Sequence, residues 1–266
     1  MKISSQYLLF LVLIIFVSCG PSDEDKARVK IDLAKNLLAK NDTTAAILQL
    51  DSIPRLFPEA VYSANAAKNL LKEIRFELMQ GKENELDSVK VEIAELEKSF
   101  VKEKTEFDRY AQYTHKRQTF TRAWDRSYIQ VHLDERGELY LSSNYHGENW
   151  LDHTGLRVYD SGDDAKTEKI PLGTVDNHRS DFMEAKWEKV SYRNGKDNGV
   201  IEFIANNVDR TLKAVFLGNE YYYIILETYD KVAVRDALAL SKAIKRKNKL
   251  EAELNNLQKQ LGINQG

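Results

Sequence analysis

One cysteine, four prolines and no surplus of either charge are what this chain of 266 residues has least of. A disulfide needs two cysteines and a thiolate metal site usually more, so neither is available to the body of the protein. The balance of 39 basic against 41 acidic residues lacks the basic excess that nucleic-acid binders carry. No apolar run approaches the ~20 residues of a membrane-spanning helix. The chain also lacks a Gly-x-Ser-x-Gly elbow, a phosphate loop, a calcium loop and any histidine pair at the spacing of a zinc helix. The expectation is therefore no catalytic residues, no metal and no cofactor. With so few prolines and 30% charged residues, long solvated helices are expected.

What is present begins with Lys2, an apolar stretch over residues 7–17 and the small residues Ser18, Cys19 and Gly20. That layout is a secretory leader, too short to cross a bilayer. The stretch Phe16-Val17-Ser18-Cys19 resembles the lipobox of bacterial lipoproteins. The resemblance implies cleavage before Cys19 and lipidation of its thiol, with residues 1–18 as signal peptide and 19–25 as a lipidated acidic tether. Gly20, in place of an aspartate, is similar to the sorting pattern of outer-membrane lipoproteins. The run Ser22-Asp23-Glu24-Asp25 is similar to the acidic export tract of surface-exposed ones. Equally, Ser22 is a helix N-cap and the acids suit the positive end of a helix dipole. After removal of residues 1–18 the chain holds 38 basic and 41 acidic residues.

Helical spacing runs through residues 26–81. Val29, Leu33 and Leu37 recur on one face; Ala46, Leu50 and Ile53 continue after a break at Asn41-Asp42; Ala67, Leu71 and Ile74 form a third helix ending near Gly81. Ala34, Ala46, Leu50, Ile53 and Pro58 resemble the consensus positions of a tetratricopeptide repeat. One repeat does not make a peptide groove, so a helical hairpin serving as a base is the expectation.

Residues 83–114 and 231–262 each carry a heptad seam with one polar fault, Glu103 in the first and Lys247 in the second. Residues 83–108 hold nine acids and four bases, and residues 231–260 eight bases and three acids. Set antiparallel so that paired numbers sum to 350, every apolar position meets an apolar one and Glu103 meets Lys247. This predicts an antiparallel coiled-coil stalk made by two distant helices, with Glu103 and Lys247 as its register pair.

Between them, residues 116–229 read as β structure: alternating Tyr128-Ile129-Gln130-Val131-His132-Leu133, a turn at Asp134–Gly137, and strands at 139–141, 155–160, 169–175, 185–192, 211–217 and 221–226. Residues 199–206 fit either strand or helix. The fold class is thus α+β: a helical hairpin, a stalk, and an antiparallel β-sandwich-like head inserted between the stalk helices. Asp152-His153 is an acid–base candidate, and His132 sits on the polar face of its strand. Tyr145, His146 and Trp150 in one aromatic and amide-rich loop, with Tyr222, are the candidate ligand-binding residues. The combined expectation is a lipid-anchored binding or scaffolding protein of the bacterial envelope, held in the outer membrane through Cys19, with display at the cell surface as the export tract's implication, an envelope protein or glycan as partner and no nucleic acid. A hydrolase in the head and a peptide-binding helical adaptor are the alternatives.

Overall fold

A computed structural model describes residues 20–118, 125–182 and 184–263. Cys19, the lipidation candidate, lies outside the described residues. The fold is α+β, with five helices and two antiparallel sheets among the described residues. The described residues up to 83, with those from 254 on, form one compact unit, and the described residues of 84–253 the other.

In the first unit α1 (Asp23–Ala39) opens on a reciprocal cap, the Ser22 hydroxyl accepting from the Asp25 amide and the Asp25 carboxylate from the Ser22 amide. The helix-capping half of the expectation for the acidic tract is therefore met. Its buried face is Ala27, Ile31 and Ala34, and Val29 and Leu33 are exposed. The expected face was one step out of phase because small alanines fit the close approach of α2 (Thr43–Leu56). There Ala46, Leu50 and Ile53 are fully buried, as the spacing predicts. Helix α3 (Val61–Glu97) adds Ala67, Leu71 and Ile74 to the same core. It runs unbroken through Gly81, whose cost of about 1 kcal/mol relative to alanine the rest of the helix absorbs.

The second unit overturns the predicted stalk. Helix α3 stops at Glu97, not near residue 114, and Phe100–Glu103 form strand β1, paired with β2 (Gln112–His115). Phe100 is buried with its ring edge-on to Tyr113 and His115, at 6.2 and 5.1 Å between ring centres. That apolar burial and the strand pairing outweigh the helical spacing. Phe107 is exposed, beside a turn in which Asp108 accepts from the amide and hydroxyl of Thr105. Glu103 stands opposite Gln112 on β2, so it is no register partner of Lys247. On α5 (Thr228–Leu261) it is the neighbour, Arg246, that pairs with α3, donating to Glu85 at 2.8 and 3.0 Å.

Two sheets follow. The first has six strands in the order β1-β2-β3-β4-β8-β7, with β3 Tyr128–Asp134, β4 Leu139–Gly147, β7 Asn177–Phe182 and β8 Ala185–Tyr192. The second has four, β10-β9-β5-β6, with β5 Gly155–Tyr159, β6 Asp164–Lys166, β9 Lys213–Leu217 and β10 Tyr221–Ile225. The expected strand at 169–175 is absent; that stretch is a connection between β6 and β7. Residues left open at 199–206 form the short helix α4 (Val200–Asn206).

Alternation decides what each strand buries. Ile129, Val131 and Leu133 of β3 and Val190 and Tyr192 of β8 share one core with Leu156, Val158 and Phe216 of the second sheet and with Ala233, Ala237 and Leu240 of α5. The β3–β4 turn docks on α5 through Gly137, whose φ is 86°. A Cβ there would lie 3.0 Å from the Ser241 carbonyl, and the Ser241 hydroxyl donates to Gly137 O at 2.6 Å. Only glycine meets both conditions.

Candidate functional site

Strand β4 carries two adjacent serines, and pleating sends them to opposite faces of the six-stranded sheet. Each meets a histidine: Ser143 on the core face, Ser142 on the other.

On the core face, Ser143 Oγ is 2.9 Å from His153 Nε2 and 2.9 Å from the Tyr192 hydroxyl. His153 Nδ1 donates to Glu188 Oε2 at 2.6 Å. The same carboxylate accepts the backbone amides of Leu151 and Asp152 at 2.8 and 2.7 Å on Oε1, and of His153 at 2.9 Å on Oε2. Three consecutive amides converge on one carboxylate because Asp152 adopts a left-handed conformation, with φ 55°. Burial opposes the Glu188 charge, but hydrogen bonds from the His153 ring and the loop amides outweigh it and hold the carboxyl below its ordinary value. Burial also pushes the Tyr192 phenol up.

The order serine, histidine, carboxylate is that of a nucleophilic relay. Its setting is not. Ser143 and His153 are 0% exposed and Glu188 2%. The serine oxygen is already bonded to Tyr192, which leaves no approach for a substrate carbonyl. What the array does is fasten the loop 149–153 to the sheet. Asn219 N also donates to Leu151 O at 2.8 Å, and a Cβ on Gly218 would fall 2.0 Å from that same oxygen. The Asp152-His153 acid–base candidate is corrected accordingly. His153 pairs with Glu188, while Asp152 pairs with Arg179 and Asn219.

The opposite face holds a pocket of about 580 Å³, within the size range of small-ligand sites. His132 and Tyr140 lie in it stacked, 4.5 Å between ring centres and 9° from parallel. His132 Nε2 is 2.9 Å from Ser142 Oγ, which Asn144 Nδ2 also contacts at 3.2 Å; Ser142 and Asn144 are buried. Arg193 lies over Tyr140, its Cζ 3.8 Å from the ring centre, donates to the Tyr140 hydroxyl at 2.7 Å and pairs with Asp176. Arg136 lies over Tyr110 in the same way, also at 3.8 Å, with its fork on Asp134. Two guanidinium groups are thereby immobilised on aromatic rings.

Lys189 lines this pocket and, among the described residues, its ammonium has neither hydrogen bond nor ion pair. Desolvation and the adjacent Arg193 lower its pKa. Desolvation, then Lys189 and Arg193, push His132 down to about 3, so the imidazole is neutral at pH 7. Asp108, Asp134 and Glu138 lie along the same lining, but Asp134 is bound to Arg136, Asp108 to Thr105 and Glu138 to Lys245. The corner occupied by Lys189, Arg193 and His132 is left with excess positive charge. Chemically it can hold an anion and donate hydrogen bonds to it.

The four candidate ligand residues do not converge. Tyr145 is 8% exposed, bonds Asn149 O at 3.1 Å and meets Tyr222 edge-on at 5.2 Å, which makes it a core residue. Tyr222 in turn packs on Phe216. His146 points to the other face and leans on Trp187 at 4.5 Å. Trp150 has Arg179 and Lys186 over its ring at 5.0 and 5.4 Å. Lys189, Arg193, Tyr140 and Arg136 were missed, since strands β4 and β8 are far apart in sequence and only their pairing assembles the pocket. Glu188 did leave a signal: it shares the phase of Val190 and Tyr192 on β8, a charge in the apolar register of a strand.

Among the described residues no group of acids, histidines and cysteines is placed to hold a metal, and no helix is long and apolar enough to cross a membrane. The chain matches no family model, no curated protein and no solved structure.

Proposed function

We propose that the protein is a non-catalytic binding module of the bacterial envelope, lipid-anchored at Cys19 in the outer membrane, that holds a small carboxylate- or phosphate-bearing ligand in the pocket beside Lys189. In this reading the two sheets are a sandwich-like head whose outer face carries the site. The observation that supports it is the unpaired Lys189 ammonium in a ligand-sized pocket, next to an arginine fixed on an aromatic ring. Lys189 is exposed at the pocket, so its ammonium is hydrated, and a bound anion would exchange that water for charge-assisted hydrogen bonds. The pre-set Arg193 and Tyr140 lower the entropy lost on binding. Catalysis is not part of the proposal, because the serine–histidine–carboxylate array lies in the solvent-excluded core.

Histidine NMR on a lipid-free Cys19→Ser chain tests the ligand chemistry, with inorganic phosphate and glucuronate as probes and glucose as the neutral control. Either anion should raise the His132 pKa, because it offsets the Lys189 and Arg193 charges, and Lys189→Ala should weaken the effect by about tenfold or more. No change with either anion, or an equal change with glucose, would sink the pocket assignment. The anchor is tested separately: labelled acyl chains should join the wild-type protein and not Cys19→Ser, and the substituted chain should leave the membrane fraction.

A further inference from the structure

A sheet has two edges, and each edge of a soluble sheet presents unpaired amides and carbonyls to any extended chain nearby. Natural edge strands are kept single by charges, prolines, bulges or shortness. Three of the four edges here follow that rule. Strand β1 carries Lys102 and Glu103, β7 carries Arg179 and Asp181, and β6 is three residues long with Asp164 and Lys166 at its ends.

Strand β10 does not. Its run Tyr221-Tyr222-Tyr223-Ile224-Ile225, continued by Leu226, has no charge and no proline, and it pairs with β9 residue for residue without a bulge. Among the described residues nothing pairs with its other side. The alternation places Tyr221, Tyr223 and Ile225 on one face, where they are 79, 61 and 57% exposed. Behind them on β9 stand Leu217 and Val215, half-buried, and Lys213, whose ammonium lies 5.5 Å from the Tyr223 ring centre. A contiguous apolar stripe on an open edge marks a contact surface.

We propose that β10 is a dimerisation edge, two copies of the chain pairing through antiparallel β10 strands so that their four-stranded sheets become continuous. The strand is self-complementary about Tyr223. In that register Tyr221 meets Ile225 of the second copy, Tyr222 meets Ile224, and Tyr223 meets itself, the isologous arrangement a two-fold axis requires. The flanking acids are kept apart: Glu220 falls opposite Leu226 and Glu227 opposite Asn219, so no like charges meet. Given 150–250 Å² for a large aromatic, the three exposed side chains offer roughly 400 Å² per copy. That is about half the ~800 Å² per partner of a standard stable interface, which predicts a weak dimer with Kd in the micromolar range. The pairing does not depend on the pocket, whose residues lie on the other sheet.

Sedimentation velocity on the lipid-free Cys19→Ser chain, across a concentration series, provides the test. The expected result is a reversible monomer–dimer equilibrium, together with hydrogen-exchange protection of residues 221–225 that rises with concentration. Tyr223→Lys puts a charge at the centre of the edge and should weaken the dimer by about tenfold or more, with an unchanged melting temperature since the side chain is exposed. Should that variant melt early, Ile225→Lys supplies the same charge one pair away. A chain monomeric throughout, a dimer indifferent to both lysines, or 221–225 protection appearing only with anionic phospholipid vesicles would each overturn the proposal.

Discussion

Ser142 and Ser143 are chain neighbours, each hydrogen-bonded to a histidine ring nitrogen at 2.9 Å, and their surroundings share almost nothing else. Around Ser143 a buried carboxylate, three loop amides, a phenol and an imidazole satisfy one another. Around Ser142 the imidazole faces Arg193, which is paired with Asp176, and Lys189, whose ammonium has no ion pair among the described residues. A serine–histidine contact is therefore neutral as to function. Solvent access and the charge on the far side of the ring distinguish a fastening from the lining of a proposed binding site. The same division separates Glu188 and Lys189, adjacent on β8 and pointing to opposite faces.

Adjacent substitutions on opposite faces are the sharpest way to break this contrast. Glu188→Ala leaves three amides and a buried imidazole without an acceptor and should cost about 3–5 kcal/mol, read by urea unfolding. The neighbouring Lys189→Ala should move stability by no more than about 0.5 kcal/mol while weakening the response to anions by about tenfold or more. If the two cost the same, the loop fastening has been misjudged.

A smaller effect is expected one strand away. Ser143→Ala strands His153 Nε2 in the core and leaves the Tyr192 hydroxyl with Thr167 as its partner, and should cost about 1–3 kcal/mol. A double-mutant cycle with Tyr192→Phe should show coupling between the two positions, since they share a hydrogen bond. Ser142→Ala, beside the pocket, should cost less than Ser143→Ala in the same assay, because water can reach His132.

The pH dependence separates the two histidine environments. His132 has its folded pKa depressed to about 3 from 6.5, so below pH 6.5 the unfolded chain takes up a proton that the folded chain refuses. Stability should fall as pH drops through that window, and His132→Gln should remove this loss. Glu188, its carboxyl held below 4.5, contributes stability that is complete above pH 4.5 and is lost as pH falls through its folded value. That acid limb should persist in His132→Gln, and its disappearance would show that the two groups are not independent.

How much of this was readable without coordinates differs from element to element. The β3–β4 hairpin and its turn at Gly137, the α2 core of Ala46, Leu50 and Ile53, and the Ser22 cap follow from local pattern, and they appear where the pattern puts them. The residues from Phe100 to Tyr110 do not. Their apolar spacing of three and four is helical by count, yet strand pairing with Gln112–His115 and burial of Phe100 won. Helical periodicity over so few residues weighs little against a core contact. The aromatic loop candidates dispersed for a related reason: a strand sends Tyr145 and His146 to opposite faces, so proximity in sequence was distance in space.

By itself the amino-acid sequence determined the things that depend on near neighbours: an α+β chain, the caps and turns, and the uncharged run of residues 221–226. Tertiary structure alone decided which residues constitute a site. Lys189 became a candidate anion ligand, and His153 a fastening, only when β8 paired with β4, because that pairing sets what surrounds each side chain and whether water reaches it. Solvation and long-range charge belong to the assembled sheet and are written into no short stretch of the chain.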